Sequence, residues 1–241
     1  MPAALVLGAS GDIGEAVCRR LAKEGWSLYC HYHHNGEKVL KFVSELRESY
    51  PHQDFFMVCL DMLDYREIAP FLADLFHVDG VVFAAGFTKY GLLSEHSQQD
   101  MTALWKVHVE TPMLLLASLE DKLRQSGRGR VVFIGSVYGL AGSSMETVYS
   151  AVKGAQQSFA KAYAKEVASL GITVNCVAPG AVATQMNHQF TDDQLQELSA
   201  DIPLGRLAAT SEIAAAVAYL FSKEAQYTTG TTIPVTGGWL Y

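Results

Sequence analysis

The sequence of 241 residues has no apolar run of about 20 residues, the length that a membrane-spanning helix needs. It also has no surplus of basic residues, because 18 Lys and Arg stand against 25 Asp and Glu, a formal net charge of −7. Such an average surface repels nucleic acids and anionic membranes, so neither is expected as a partner. The N-terminus has no basic segment followed by an apolar stretch, and we expect a soluble, cytoplasmic protein.

Cysteine and linker-like sequence are also scarce. The four cysteines are far apart and form no CxxC pair, which predicts buried, reduced thiols rather than disulfides or a zinc site. The cluster HYHH at 31–34 has no carboxylate or cysteine at ligand spacing, and we interpret it as a polar strand end rather than a metal site. No Pro/Ser-rich linker divides the chain, which predicts one domain over residues 1–241. The cysteines are Cys18, Cys30, Cys59 and Cys176.

What the sequence does contain is an alternation of short apolar runs with segments of helical periodicity. Such alternation predicts βαβ units, and near-continuous apolar strands are typical of a parallel sheet that is covered on both faces. We therefore predict an α/β fold with a doubly wound, seven-stranded parallel sheet, helices on both faces, and a ligand crevice beyond the carboxyl ends of the strands. The apolar runs are 3–8, 27–32, 54–60, 80–86, 130–136, 172–180 and 231–238, and the helical segments include 36–49, 65–76, 97–125, 149–170 and 211–223.

The first apolar run ends in a glycine-rich turn, GASGDIG at 8–14, just before a helical segment. Backbone N–H groups at the start of a helix bind phosphate. However, the spacing of Gly8, Gly11 and Gly14 differs from the GxGxxG dinucleotide fingerprint, and Asp12 puts a negative charge inside the turn. A nucleotide site and a purely steric turn both remain open, and the position after the first strand favours the nucleotide site.

A second pattern, YSAVK at 149–153, points more directly to chemistry. Residues four apart lie on one face of a helix, roughly 5–6 Å apart at Cβ, so Tyr149 and Lys153 face the same way. A nearby ammonium lowers the pKa of a tyrosine from its usual value of about 10 and makes the phenol a better proton donor. Ser136 ends a predicted strand, and its hydroxyl can bond a carbonyl oxygen in the same crevice. YxxxK alone is often an ordinary exposed pair, but with Ser136 and the glycine turn it predicts a catalytic group.

Together these residues resemble the short-chain dehydrogenase/reductase family along essentially the whole chain. NCVAPGAVATQM at 175–186 resembles the family's Pro-Gly segment, and DIPLGRLA at 201–208 and TTGTTIPVTGGWLY at 228–241 are most similar to the β-ketoacyl-acyl-carrier-protein reductases. The resemblance implies a Rossmann-type fold and hydride transfer between a nicotinamide cofactor and a carbonyl. It implies that Tyr149 supplies the proton, Lys153 lowers its pKa and binds the nicotinamide ribose, and Ser136 holds the carbonyl oxygen.

The resemblance also implies which residues hold the cofactor. Val182 and Thr184 are expected to flank the nicotinamide carboxamide, and Asp61 is expected to meet the adenine. The full implied set is Gly8, Ser10, Gly11, Asp12, Ile13, Gly14, His33, Asp61, Met62, Ala84, Ala85, Gly86, Tyr149, Lys153, Pro179, Gly180, Val182 and Thr184.

Two departures from the family's pattern affect the predicted site directly. Leu7 and Asp12 stand where the family usually has Thr and Gly, and we hypothesise that Asp12 caps the helix that it begins and leaves the turn's amides to a pyrophosphate. His108 replaces the family's catalytic asparagine. Its imidazole either joins a water-linked proton relay or fills space as a half-buried side chain, and both interpretations stay open.

Two further departures concern the surroundings of the site. FAAG at 83–86 replaces the typical NNAG, so a side-chain amide is lost while small residues still let a cofactor approach. Leu170 stands where reductases that dock acyl carrier protein often have a basic residue. The remaining candidates for docking an acidic carrier protein are Lys122, Arg124, Arg128 and Arg130.

The end of the second strand carries Tyr32, His33 and His34, without the acidic residue with which NAD-preferring relatives hold the ribose. We therefore predict NADP(H) in preference to NAD(H), although the usual Arg is absent as well. The predicted function is reduction of a carbonyl to a secondary alcohol, with a 3-oxoacyl thioester of the kind used in fatty acid biosynthesis as substrate and acyl carrier protein as a candidate partner.

Two alternatives to this function are another small ketone or alcohol as substrate, and a cofactor-binding regulator without catalysis. The intact set of Ser136, Tyr149 and Lys153 favours the enzyme. The resemblance further implies a homotetramer or homodimer formed through the helices at 97–125 and 149–170 and the C-terminal segment. The stretch 187–201 is expected to be a short substrate loop.

Overall fold

The computed structural model describes residues 1–185 and 191–239, and within them the strands form a single seven-stranded sheet. Every neighbouring pair of strands is parallel, in the order β3-β2-β1-β4-β5-β6-β7. The order reverses between β1 and β4, which opens a crevice at their carboxyl ends. The strands are β1 (Ala3–Leu7), β2 (Ser27–Tyr32), β3 (Phe55–Cys59), β4 (Gly80–Phe83), β5 (Arg130–Ile134), β6 (Thr173–Pro179) and β7 (Thr232–Val235).

The predicted parallel sheet is confirmed, but several strands end before the apolar runs do. β4 ends at Phe83 rather than at residue 86, and β5 ends at Ile134 rather than at residue 136. The residues that follow leave the sheet at its carboxyl edge, where Ala84 to Gly86 and Ser136 line a cavity. The extra small residues of the apolar runs therefore belong to the site rather than to the sheet.

Helices cover both faces of the sheet, as predicted. They are α1 (Asp12–Lys23), α2 (Gly36–Ser49), α3 (Ile68–Ala73), α4 (Gln98–Trp105), α5 (Thr111–Gln125), α6 (Tyr138–Ala141), α7 (Thr147–Val167), α8 (Asp192–Asp201) and α9 (Thr210–Phe221). Short 3-10 turns at Tyr65–Glu67, Leu93–Glu95 and Ala168–Leu170 precede or extend them.

The core has two layers because successive side chains of a strand point to opposite faces of the sheet. On one face Leu5, Val81 and Phe133 pack with side chains of α3, α5 and α7. On the other face Val6 and Val82 pack with side chains of α1, α2 and α9. Burying one such side chain stabilises the fold by about 1.5–3 kcal/mol, so these layers give the site a rigid base.

The single helix predicted over 97–125 is wrong in one detail, because a π-helical turn at Lys106–Glu110 separates α4 from α5. Proline lacks a backbone N–H, so Pro112 cannot donate to the carbonyl of His108 as an α-helix requires. The side-chain amide of Gln156 donates to that carbonyl instead, at 2.7 Å. The chain therefore widens at this point and turns the His108 side chain toward the sheet edge.

Two further expectations need correction. The segment predicted as a helix over 65–76 contains Pro70 and forms only the 3-10 turn and the short α3. The stretch 187–201, predicted as a loop, contains α8, which begins with a capping box at Thr191 and Gln194. Residues 187–190 of that stretch, Met186 at the end of the Pro-Gly segment, and the last two residues of the C-terminal motif lie outside the described residues.

The cysteines follow the prediction with one exception. Cys18, Cys30 and Cys176 are buried free thiols, whereas Cys59 is exposed at the carboxyl end of β3. Across the described ranges, no helix combines the length and the apolar character that a membrane crossing requires.

Candidate functional site

A cavity of about 500 Å³ opens at the carboxyl edge of the sheet, where the strand order reverses. This volume lies within the usual range of small-molecule and cofactor pockets, about 300–1,000 Å³. The glycine turn after β1 forms one end of the cavity, and residues after β4, β5 and β6 form its floor. The predicted crevice is therefore present, and residues that follow β1, β4, β5 and β6 meet there, whereas His33 and Asp61 at the ends of β2 and β3 do not.

The glycine turn is shaped to hold an anion against the start of α1. Gly8 has φ +81°, and a Cβ there would lie 2.5 Å from the backbone of Ala85. At Gly14 a Cβ would overlap the carbonyl oxygen of Gly8, so both positions require glycine. Free backbone N–H groups at a helix start attract phosphate, and this cradle fits the pyrophosphate of a dinucleotide.

The buried side chain of His31 hydrogen-bonds the backbone of the glycine turn. The prediction of a polar strand end did not include this role. The Gly8 N–H donates to His31 Nδ1 at 2.9 Å, and His31 Nε2 donates to the Leu60 carbonyl at 3.0 Å. These two bonds require the neutral tautomer with its proton on Nε2. Burial lowers the pKa of His31 to about 4, against the effect of the bond to Leu60, so the ring is neutral at physiological pH.

The hypothesis that Asp12 caps α1 is wrong. Gly11 is the N-cap residue, and no side chain caps this helix. The Asp12 carboxylate instead accepts a bond from Lys38 Nζ at 3.0 Å and one from the backbone N–H of Gln185 at 2.7 Å. Lys38 also lies 3.4 Å from Glu15. The negative charge in the turn is therefore balanced by a cation from α2, and Asp12 links the turn to the segment after β6.

Ser136, Tyr149 and Lys153 converge on the cavity, as their spacing predicted. Tyr149 and Lys153 stand one turn apart on α7, with Lys153 Nζ 5.4 Å from the centre of the tyrosine ring. Lys153 is buried, and its ammonium donates to the carbonyl of Ile134 at 2.8 Å. Ser136 follows β5 directly, and its side chain hydrogen-bonds the Tyr149 hydroxyl. The three polar groups thus face one point in the cavity.

The prediction that Lys153 lowers the pKa of Tyr149 is wrong for the protein alone. Burial raises the pKa of Tyr149 above its usual value, the Glu146 carboxylate raises it further, and only the bond to Ser136 opposes them. Burial also lowers the pKa of Lys153 to about 8. At neutral pH the site therefore holds a protonated phenol beside a lysine that is mostly an ammonium.

Comparison with known proteins agrees with this geometry. A family model described as "Enoyl-(Acyl carrier protein) reductase" matches residues 8–240. The chain belongs to the short-chain dehydrogenase/reductase family. It is an oxidoreductase of that family, which bears out the resemblance and the predicted enzyme class.

Two similar proteins and one similar solved structure illustrate the match. An uncharacterized oxidoreductase, YmfI of Bacillus subtilis (strain 168), is 37% identical over 98% of both chains. The 3-oxoacyl-[acyl-carrier-protein] reductase FabG of Escherichia coli (strain K12) is 34% identical over 98% of this chain and 96% of its own. A blue fluorescent protein from a metagenomic library, solved in complex with NADPH, is 28% identical with a TM-score of 0.89, over 99% of this chain and 97% of its own.

At the position of the family's asparagine, His108 is buried against Tyr149. Its ring lies edge-on to that of Tyr149, with centroids 5.5 Å apart. Nε2 lies 2.9 Å from the Phe87 carbonyl oxygen and 3.3 Å from the Phe87 backbone nitrogen. The shorter contact assigns the proton to Nε2, which donates to the carbonyl, and leaves Nδ1 as an acceptor without a partner among the described residues. Burial lowers the pKa of His108 to about 3, helped by the charge of Lys153. His108 is therefore a neutral imidazole with one free acceptor at the cavity wall.

Most residues of the implied cofactor set line the cavity, and four do not. Gly8 supports the turn from behind, and Met62 is buried beneath Thr111, whose hydroxyl donates to its carbonyl at 2.7 Å. His33 and Asp61 lie outside the cavity but beside each other, with His33 Nε2 3.9 Å from an Asp61 oxygen. Within the set, Val182 is buried and pairs with Ala208 in a β-bridge.

Sequence reasoning missed several residues of the cavity wall. Asn35 precedes α2 at the end near the glycine turn, and Glu146 precedes α7 three positions before Tyr149. Glu146 could have been found from its spacing, since it precedes the first turn of α7, the helix that carries Tyr149 and Lys153. The others lie at the outer end and come from the loop after β4, from α6, from α8 and from the C-terminal segment, which no local pattern connects. They include Thr88, Tyr90, Tyr138, Gln194, Leu198 and Trp239.

The proposed basic patch for a carrier protein is smaller than predicted. Arg130 is buried in β5, where its guanidinium donates to the carbonyls of Arg128 and Gly129, and burial lowers its pKa. Lys122 bonds the Leu75 carbonyl at 2.6 Å, and Arg124 pairs with Asp121. Arg130 is therefore excluded from the surface patch.

Proposed function

We propose that this protein is an NADPH-dependent reductase of a ketone, with a 3-oxoacyl thioester as its substrate. The observation that carries the proposal is the convergence of Ser136, Tyr149 and Lys153 on a cavity that begins at a phosphate-binding glycine turn. A regulator that only binds the cofactor has no use for a buried lysine and a hydrogen-bonded Ser–Tyr pair in one pocket.

The three polar groups divide the work of carbonyl reduction. The bound nicotinamide supplies the hydride. Ser136 donates a hydrogen bond to the carbonyl oxygen as negative charge develops on it. Tyr149 is protonated at neutral pH because of its burial, and it gives its proton to the oxygen, since an alkoxide is a much stronger base than a phenolate. The Lys153 ammonium then stabilises the phenolate that remains.

His108 is proposed as part of the path that returns a proton to this group. Its free Nδ1 acceptor lies in the cavity wall beside the Tyr149 ring. A water that donates to Nδ1 can also bond the Lys153 ammonium, whose charge acts on His108. The low pKa of the ring keeps His108 from carrying a second proton itself, so its proposed role is to accept the hydrogen bond of that water, and the alternative is a space-filling side chain.

NADP(H) is the proposed cofactor because the adenosine end of the site has no acid after β2. Tyr32, His33 and His34 occupy that strand end, whereas the ammonium of Lys38 on α2 is already paired with Asp12 and Glu15. An adenosine 2′-phosphate therefore meets imidazoles rather than a carboxylate on the strand end itself. The blue fluorescent protein at 28% identity, solved in complex with NADPH, supports the same cofactor.

A 3-oxoacyl thioester is the proposed substrate because of the similarity to the Escherichia coli reductase of that class and because of the outer cavity wall. Leu198, Tyr138 and Trp239 line this end, with the two aromatic rings 5.9 Å apart. Such a wall suits an apolar acyl chain. Acyl carrier protein is a candidate donor, with Lys122, Arg124 and Arg128 as the remaining cations for docking. Another small ketone is the alternative substrate.

Self-association is also proposed, through the face formed by α4 and α7. A shallow apolar groove there is lined by Met101, Trp105, Val148 and Val152, and Trp105 is 46% exposed. Exposed apolar grooves of this kind are typical of subunit contacts. Light scattering of wild type and Trp105→Asp tests it: the variant should have a lower mass, and a monomeric wild type would contradict the proposal.

The function is tested by following NADPH oxidation with acetoacetyl-CoA, beside parallel reactions with NADH and with simple ketones. We expect turnover with acetoacetyl-CoA and a higher kcat/KM for NADPH than for NADH. Turnover of simple ketones alone would replace the thioester by another carbonyl substrate. An equal or better reaction with NADH would contradict the cofactor assignment.

A further inference from the structure

Two carboxylates line the cavity: Asp12 is paired with Lys38 in the glycine turn, and Glu146 has no role in the proposed reaction. Glu146 lines the cavity wall three residues before Tyr149, and its side chain is half-buried. One of its oxygens accepts a hydrogen bond from the Thr88 hydroxyl at 2.7 Å. Among the described residues, no donor bonds the other oxygen. A half-buried carboxylate with an unused acceptor therefore faces the space in which a substrate binds.

The backbone around Glu146 is held in an unusual conformation. Met145 has φ +64°, in the left-handed region that residues other than glycine rarely adopt. The Gly91 N–H donates to the Met145 carbonyl at 2.8 Å, and the Ser150 N–H donates to the Glu146 carbonyl at 2.8 Å. Such strain persists only where the surroundings fix it, and it is concentrated at functional sites. The fold thus fixes the backbone at Glu146 although the conformation of Met145 is energetically unfavourable.

No cation of the described chain neutralises this carboxylate. Lys89, on the loop that carries Thr88, is paired with Asp100 at 2.6 Å. Lys153 is bonded to the Ile134 carbonyl inside the fold. The negative charge of Glu146 acts on two phenols of the cavity, because it raises the pKa of the neighbouring Tyr138 and of the proposed proton donor Tyr149. A ligand in the cavity therefore meets an uncompensated charge close to the reacting phenol.

We propose that Glu146 is a specificity-determining residue that selects substrates with a hydroxyl or ammonium group near the reacting carbonyl and excludes substrates with a carboxylate there. The inference rests on the proposed ketone reduction at Tyr149. Glu146 accepts the hydrogen bond of such a donor with its free oxygen, while Thr88 fixes the carboxylate. An anionic group in the same place is repelled, because two negative charges share a partly dehydrated pocket.

Substrates of nearly equal size separate these two effects. With NADPH, 4-hydroxybutan-2-one and pentan-2-one differ only in a hydroxyl against a methyl group, and acetoacetate adds an anion. In wild type we expect kcat/KM for the hydroxyketone to exceed that for pentanone by about tenfold or more, and acetoacetate to be the poorest of the three.

Two variants of Glu146 assign the effects to the side chain. Glu146→Gln keeps an acceptor without the charge, so it should retain part of the hydroxyl preference and lose the exclusion of acetoacetate. Glu146→Leu should lose both. Glu166→Gln removes an exposed carboxylate from α7, the helix that Glu146 precedes, and serves as the matched control. It should keep the wild-type order of the three substrates. Unchanged selectivity in both Glu146 variants would overturn the proposal.

Binding to the Tyr149→Phe variant keeps this test independent of the chemistry. Ketone affinities for its NADPH complex are measured by titrating the fluorescence of the bound cofactor. A hydroxyketone preference that disappears in Tyr149→Phe/Glu146→Leu supports the role of Glu146 even if wild type reduces none of the ketones. If the preference stays in the double variant, Glu146 does not select the substrate, whatever reaction the enzyme performs.

Discussion

The protein is expected to lose stability on acidification already at pH values above those at which carboxyl groups titrate, because the fold keeps two buried histidines neutral. The pKa of His31 falls from 6.5 to about 4 and that of His108 from 6.5 to about 3, in both cases chiefly through burial. The unfolded chain therefore binds more protons than the folded chain between these values and 6.5. The stability that the two rings contribute is complete above 6.5 and is lost as the pH falls toward 4 and below.

The size of this effect follows from the pKa differences. At about pH 5 each unfolded histidine is protonated while its folded counterpart is nearly neutral, so each removes about 2 kcal/mol, and the pair about 4 kcal/mol, from the free energy of unfolding. The comparison should start near pH 7.5, because Lys153, with a pKa of about 8, titrates mainly above it.

Urea denaturation at fixed protein concentration, followed by circular dichroism at both pH values, measures this loss. His31→Gln is the informative variant, since an amide can accept from Gly8 and donate to Leu60 without titrating. It should lose about half of the pH dependence. The assignment to the two histidines is wrong if the free energy of unfolding of wild type falls by less than about 1 kcal/mol between the two pH values, or if His31→Gln keeps the full pH dependence.

Three other predictions concern the site. Lys38→Met leaves the Asp12 charge unbalanced in the glycine turn and should weaken NADPH binding about tenfold in calorimetry, with recovery in Lys38→Met/Asp12→Asn; a variant that binds like wild type removes Lys38 from the site. If His108 serves the proton path, His108→Asn should keep more turnover than His108→Ala, whereas an alanine variant as fast as wild type makes the side chain a space filler. Turnover should fall above about pH 8 as Lys153 loses its proton, and a flat rate up to about pH 10 would contradict that role.

Much of the fold could be predicted because its signals are local. Each strand is a short apolar run, and each glycine or polar residue that follows marks the carboxyl edge of the sheet. The same logic placed three residues of the candidate site: Ser136 follows β5 directly, and Tyr149 and Lys153 share a helix face by their spacing. A parallel sheet brings all strand ends to one edge, so strand order alone places these residues in one cavity.

The failures have two causes, which are partners distant in sequence and burial that no local pattern reveals. Asp12 was expected to cap its own helix, but Lys38 and the Gln185 amide, 173 positions away, provide stronger partners. Arg130 was counted as a surface cation, although the strand that carries it is buried on both sides. The helix break at Lys106–Glu110 could have been anticipated from Pro112, but its stabilisation by Gln156 could not.

In the proposed reaction Tyr149 donates the proton to the ketone, while the glycine turn and Lys153 hold the cofactor. A comparison of wild type with Tyr149→Phe for NADPH oxidation by acetoacetyl-CoA, with NADPH affinity measured in parallel for both proteins, tests this division of roles. We expect the variant to bind NADPH within about threefold of wild type and to lose turnover by about a hundredfold or more. A Tyr149→Phe protein that turns over at the wild-type rate would contradict this division of roles.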